Sequence, residues 1–283
     1  MKKTISKKFK PANSVTLFHG DCLDMLKDIP DQSVQLVVTS PPYNIGKEYE
    51  KRKSVDKYLD FQKKVIKECD RILKPNGSIC WQVGNYVENG SIIPLDILLY
   101  PIFDKLGYKM RNRVIWHFGH GLHASKRFSG RYETIIWFTK SDDYLFNLDP
   151  VRVPQKYPNK KHYKGDKKGK LSGNPLGKNP SDVWAIPNVK SNHVEKTEHP
   201  CQFPIALIER LILSMTNEGD LVVDPFGGVG TVNVASYVHG RRSATSDTEK
   251  RYIDVASSRI KKAFNGELKK RPMNQPIYQP PKK

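Results

Sequence analysis

The stretch that most constrains this chain is Thr39-Ser40-Pro41-Pro42-Tyr43-Asn44, because of what precedes it. Val34-Gln35-Leu36-Val37-Val38 is an apolar run of a length that predicts a short buried strand. Two consecutive prolines end it, since neither has an N–H to give a ladder and each fixes φ. Past the strand's carboxyl end stands a stiff turn carrying a hydroxyl, two carbonyls and an aromatic ring. In an open α/β sheet, ligands bind at such a strand end. Taken alone, the proline pair is also an ordinary strand terminator.

A second junction of the same kind removes that ambiguity. Leu221-Val222-Val223 runs into Asp224-Pro225-Phe226-Gly227-Gly228-Val229-Gly230-Thr231, a glycine-rich turn that predicts a helix from near Thr231. Glycine lets the backbone approach a ligand closely and take up positive φ. The next strand-like run ends in Asp247, an acid placed where a ribose hydroxyl pair needs one. Phosphate-binding patterns fit poorly: there is no Gly-Lys-Ser/Thr, and the glycines do not follow G-x-G-x-x-G.

At these residues the chain resembles the S-adenosylmethionine-dependent amino-methyltransferases of DNA. The catalytic motif comes first, a variable middle follows, and the cofactor loop lies near the carboxyl end, an order similar to that of the beta subgroup. The resemblance spans residues 14 to 262. It implies an α/β fold with a doubly wound, mostly parallel seven-stranded-type methyltransferase sheet, circularly reordered, with an inserted basic target-recognition region. The expected divisions are a catalytic half over 14–140, the insertion over 141–196, a cofactor half over 197–265, and flexible tails at 1–13 and 266–283.

The resemblance also assigns roles. Ser40, Pro41, Pro42 and Tyr43 are the expected catalytic residues. The cofactor pocket is expected to comprise Asp21, on the adenine amino group, and Thr39. It also includes the Asp224, Pro225, Phe226, Gly227, Gly228, Gly230 and Thr231 loop, with Asp247 on the ribose and Thr248 behind it. His199, Gln202 and Pro204, from His199-Pro200-Cys201-Gln202-Phe203-Pro204, are expected at the methionine end. Phe203 stands there where the family often has Lys. Asp21 is equally well placed as the N-cap of a short helix. Ser-Pro-Pro-Tyr in this family mostly accompanies cytosine-N4 methylation, and Asp-Pro-Pro-Tyr mostly adenine-N6. The expected activity is therefore cytosine-N4 methylation of double-stranded DNA, with adenine-N6 the alternative.

An exocyclic amine is a weak nucleophile because its lone pair is delocalised into the ring. A site can localise that pair by accepting hydrogen bonds from the two N–H groups. Ser40 Oγ and the Pro41 carbonyl can serve, and Pro42 removes a competing donor. Tyr43 can stack on a base flipped out of the duplex. Methyl transfer from a sulfonium needs no metal.

Charge supports a polyanionic substrate. Lys and Arg total 48 against 29 acids, a net of +19. Gln155 to Lys170 holds seven lysines with Tyr157 and Tyr163 interleaved. Alone this would read as a solvated loop; between the two motif halves it predicts phosphate contacts from Lys156, Lys160, Lys161, Lys164, Lys167 and Lys168. Lys47, in a polar loop after the first motif, and Trp116 and His117, at the end of a strand candidate over Asn112 to His117, are further DNA-binding candidates. His117, His120 and His123 invite a metal reading, but the spacing lacks two-turn helical pairing and no carboxylate accompanies it.

No apolar run approaches a membrane span. The basic start lacks a signal-peptide core, so a cytosolic (cytoplasmic) enzyme is expected. Cys22, Cys69, Cys80 and Cys201 form no C-x-x-C pair, which predicts reduced thiols. Pro200-Cys201-Gln202 matches the nucleophile motif of cytosine-C5 methyltransferases, but it precedes the glycine loop instead of following it. Other readings are an RNA or protein methyltransferase, a catalytically silent nucleic-acid-binding module and, more distantly, a nicotinamide oxidoreductase. The partners implied are DNA and, within a restriction-modification system, a cognate endonuclease, with the enzyme a monomer or homodimer.

Overall fold

The computed structural model describes residues 1–43, 54–119, 121, 123–190 and 192–276. Lys47 and the rest of the 45–53 loop, together with His120, lie outside the described residues. In chain order the elements are β1 (Ile5–Ser6), β2 (Val15–His19), α1 (Cys22–Lys27), β3 (Val34–Thr39), α2 (Val55–Ile72) and β4 (Leu73–Val83). A hairpin of β5 (Asn85–Glu88) and β6 (Ser91–Pro94) follows, then α3 (Leu95–Lys105), β7 (Lys109–His117), β8 (Tyr132–Thr139) and β9 (Val183–Ala185). The chain closes with α4 (Ile205–Met215), β10 (Leu221–Asp224), α5 (Thr231–Val238), β11 (Arg242–Asp247) and α6 (Lys250–Phe264).

Nine strands form one sheet in the order β1-β2-β11-β10-β3-β4-β8-β7-β9, and β8 alone runs against the others. The late strands β10 and β11 thus insert between the early strands β2 and β3, which is the circular reordering expected from the motif order. Alternation along the strands splits the core into two layers. Leu36 and Val38 join one cluster with α4, α5 and α6; Val37 joins the other with α1, α2 and α3, as does Val34, which lies before a register shift that interrupts the alternation. Helices on both faces bury the central strands completely, so β3 and β10 read as continuous apolar runs.

Several local expectations change. Pro75-Asn76-Gly77 has the composition of a stop for α2, but the helix ends at Ile72 and passes directly into β4. Gly77 is needed instead for close approach: a Cβ there would meet Leu73 Cδ1 at 2.9 Å. Residues 1–13 are not simply a loose arm, because Ile5 and Ser6 pair in parallel with Val15 and Thr16. The described part of the tail, up to residue 276, docks as well. Arg271 N–H donates to Glu195 Oε1 at 3.0 Å, and Leu268 and Met273 pack on the core.

The 141–196 segment carries more order than its composition predicts. Val183–Ala185 extends the sheet beside β7. The basic run folds back on itself: His162 N–H donates to Lys170 O at 2.9 Å and Ser172 N–H to Lys160 O at 2.8 Å. Tyr163, 90% exposed, stands in that turn.

Candidate active site

The sheet order lays the carboxyl ends of β2, β11, β10 and β3 side by side. Each delivers one turn to a common cavity of about 450 Å³. From β2 come Gly20, Asp21 and Cys22; from β11, Ser246, Asp247, Thr248 and Glu249. The turn after β10 gives Pro225 to Val229 and Thr231, and that after β3 gives Ser40 to Tyr43. The cavity is mainly apolar with a few placed polar groups, as small-molecule sites are.

Asp21 caps α1, accepting from Leu23 N–H at 2.8 Å, and also lines the cavity. Asp247 accepts from Gly228 N–H at 3.0 Å and Glu249 N–H at 2.8 Å. Burial nevertheless raises its pKa. The glycine turn is thereby held against the end of β11. Gly227 must be glycine, since a Cβ would meet Thr245 Cβ at 2.6 Å.

Four expected cofactor residues do not line the cavity. Thr39 and Asp224 lie beneath it, both buried, and Thr39 Oγ1 donates to Asp224 Oδ1. Burial raises the Asp224 carboxyl to about 7 despite donors from Thr39 and Phe226. Gly230, at φ +71°, serves helix packing: a Cβ would meet Ala256 Cβ at 2.9 Å. Pro204 caps α4. These four build the site's floor and frame, not its wall.

The His199–Phe203 segment closes one side. His199 packs edge-on against Tyr252, with centroids 4.4 Å apart, and burial lowers its pKa to about 4, with Lys196, Arg251 and Arg259 adding to the shift. Gln202 lines the cavity, but its amide is engaged: Oε1 accepts from Thr197 Oγ1 at 2.7 Å, and Nε2 donates to Glu195 O at 2.7 Å. Thr231 Oγ1 accepts from Arg259 Nη1 at 3.0 Å, and Phe203 O takes its hydroxyl at 3.4 Å. Cys201 also lines the cavity and is exposed, whereas the other three thiols are buried and free.

The Ser40 turn has a support that the sequence did not reveal. Ser40 Oγ donates to Tyr43 Oη at 3.0 Å, and Tyr43 Oη donates to Gln82 Oε1 at 2.7 Å and approaches Glu133 Oε2 at 3.2 Å. Gln82 Nε2 in turn donates to Glu133 Oε2. Burial pushes the Tyr43 phenol well up, with the Glu133 charge adding to it, and burial also raises Glu133. Gln82 lies one residue before the end of β4 and Glu133 one residue after the start of β8, so only the antiparallel pairing of those strands brings them together.

Further wall residues come from helices: Tyr58, Phe61 and Gln62 of α2, and Tyr252 of α6. Their helical spacing reads as packing, and only the polar Gln62 on an apolar face signals otherwise.

Among the DNA-binding candidates, the structure separates one from the rest. Trp116 is not available for stacking: it is buried, its Nε1 donates to Ile186 O at 2.7 Å, and it shares with Val114 the strand face turned to the core. His117 is exposed, as are Lys156, Lys160, Lys161, Lys164, Lys167 and Lys168. Among the described residues, no three His, Cys, Asp or Glu side chains group as metal ligands, and no helix is long and apolar enough to cross a membrane.

Comparison with known proteins agrees with this geometry. The N6/N4 methyltransferase family model, described as DNA methylase, matches residues 34–258. The type II methyltransferase M.BglII of Bacillus subtilis is 56% identical over 246 residues, covering 85% of this chain and 67% of the relative. A protein described as a DNA modification methylase of Thermus thermophilus, complexed with S-adenosyl-L-methionine, superposes with a TM-score of 0.63 at 28% identity. That match covers 88% of this chain and 94% of the other. The cytosine-N4-specific PvuII DNA methyltransferase shares the fold, with a TM-score of 0.68 at 20% identity over 93% of this chain and 96% of that one.

Proposed function

The chain belongs to the DNA methylase family of N4/N6 amino-methyltransferases, and on that footing we propose that it methylates the exocyclic N4 amine of cytosine in double-stranded DNA. Its cofactor is S-adenosylmethionine. The residues present suit that molecule: the Pro225 to Val229 turn and Asp247 line the cavity, and aromatic side chains complete its wall. When bound, it supplies a methyl group on a sulfonium, already activated toward an amine lone pair.

The observation that carries the amine-methylation reading is the hydrogen-bonding direction at Ser40, which suits the exocyclic amine of either base; cytosine is preferred on the Ser40-Pro41-Pro42-Tyr43 motif. Because its proton goes to Tyr43 Oη, the lone pairs of Oγ are left to accept an N–H of the target amine. The Pro41 carbonyl can take the other N–H. With both protons so held, the amine lone pair turns out of conjugation. The Tyr43 ring lines the cavity and offers a face for the flipped base, its hydroxyl fixed by Gln82 and Glu133. The methylated amine carries one proton more than the product and is acidic enough to release it to water, so rate comes from positioning, without any need for a strong base.

The exposed lysines of the 141–196 insertion would hold the phosphate backbone, and the similarity to a type II methyltransferase favours service beside a restriction endonuclease of the same recognition sequence. Nucleoside mass spectrometry of unmethylated DNA, incubated with the protein and S-adenosylmethionine, tests the reading. N4-methylcytosine is expected. N6-methyladenine would overturn the base assignment, and no modified base on DNA of varied sequence would overturn the activity.

A further inference from the structure

Gln62 is out of character with the helix face that carries it. Its neighbours on that face, Tyr58, Val65, Ile66 and Cys69, are buried among the apolar core of α1, α2 and α3. Gln62 itself is 0% exposed and lines the cavity. Neither its Nε2 nor its Oε1 has a hydrogen-bond partner among the described residues. Burying a carboxamide with both ends unpaired is costly, and a chain selected only for packing would hold Leu or Met there. Such a group is explained when a ligand completes it.

We infer that Gln62 is a cofactor-binding residue whose carboxamide pairs with the adenine edge of S-adenosylmethionine, an assignment that rests on the cofactor reading above. Its surroundings select the adenine. Tyr58, Phe61 and Phe226 share the wall, where the Phe61 and Phe226 rings pack on each other at 6.1 Å and 58°, so the surface beside Gln62 is aromatic and suits contact with a flat ring. Cys22, at the start of α1, lies in the same core cluster as Tyr58. The ammonium and carboxylate of the methionine end carry full charges, and a single neutral amide in an apolar wall would not compensate their burial. Adenine presents a neutral donor and acceptor side by side on one edge. A glutamine amide matches that pair with its own acceptor and donor, as it does in base readout. Gln62 would therefore act beside Asp21, which reaches the same cavity from the N-cap of α1.

Isothermal titration of the wild-type chain and Gln62→Leu with S-adenosylhomocysteine and with its inosyl counterpart tests this. The inosyl form replaces the adenine 6-amino group by an oxo group. For Gln62→Leu, affinity for the adenosyl form should fall by about tenfold or more, and preference over the inosyl form should shrink. Without ligand, the variant should melt at or above the wild-type temperature, since an unpaired buried amide has been removed. Gln62→Met, closer in shape, should behave the same way. Wild-type affinities and discrimination in both variants would overturn the assignment. So would a large drop in the melting temperature of both, which would mean that the amide is satisfied within the protein. Failure of the wild-type chain to bind either nucleoside would instead overturn the cofactor reading, and this assignment with it.

Discussion

Thr39 Oγ1 donates to Asp224 Oδ1 at 2.5 Å, joining two residues that stand 185 apart in the chain. Each sits at the carboxyl end of its strand, so this one bond fastens the Ser40 turn to the glycine turn. The two strands pair in parallel through Val222 with Leu36 and Val223 with Val37, and the bond extends that registration past the last ladder pair. Because Asp224 is buried, the bond works at low local dielectric, where geometry counts for more.

Asp224 gives the first prediction, in pH dependence. Its folded pKa of about 7 lies above the ordinary carboxylate value of 3.8. The folded state therefore holds a proton that the unfolded state releases, and stability contributed below the unfolded pKa is lost as pH rises toward 7. His199, lowered to about 4, acts in the opposite sense, losing stability as pH falls from 6.5 toward 4. Asp224→Asn keeps an acceptor for Thr39 and Phe226 but removes the titration. Denaturant midpoints compared between about pH 5 and about pH 7.5 should then fall less, or rise more, with pH than in the wild type. An identical pH slope in the variant would contradict the burial argument.

Gly230→Ala should destabilise the fold by about 1–3 kcal/mol, since it combines positive φ with a Cβ driven into Ala256. The loss should appear in urea midpoints without ligand. An unchanged midpoint would contradict the close packing of α5 on α6 at this residue.

Tyr43→Phe keeps the ring but removes the phenol that links Ser40 to Gln82 and Glu133. Turnover should fall by about tenfold, with S-adenosylmethionine affinity unchanged. Equal losses in turnover and in cofactor affinity would show that the phenol supports the pocket as a whole.

In the basic insertion, replacing Lys160, Lys161, Lys164, Lys167 and Lys168 together by Ala should weaken DNA binding. The slope of log affinity against log salt should become shallower by about 0.9 for each phosphate that the variant no longer neutralises. A salt slope equal to the wild type, measured by fluorescence anisotropy, would remove the insertion from the DNA interface.

What the sequence revealed and what it hid follow from the range of the interactions. The strands ending at Thr39, Asp224 and Asp247 were legible because apolar runs and Pro or Gly turns are local signals. Gln82 and Glu133 were not, since they reach Tyr43 only through pairing of β4 with β8, and nothing near either residue encodes that meeting. Trp116 stands beside the exposed His117 yet is itself buried. The alternation with Val114, two residues earlier on the same face, was the better guide to its burial. The tail looked unstructured by composition because its anchors, Glu195 for Arg271 and Glu209 for Lys270, lie far back in the chain. Asp224 and Thr39 resemble cofactor ligands by motif, and the bond between them, with Phe226 N–H also donating to Asp224, is a long-range contact that the motif does not encode.

The most direct test of the account is Ser40→Ala, assayed by single-turnover methyl transfer beside S-adenosylmethionine titration. If Ser40 Oγ holds the amine, transfer should fall by roughly 100-fold or more while cofactor affinity stays at the wild-type value. Wild-type transfer rates in that variant would contradict the role assigned to this turn, and with it the mechanism.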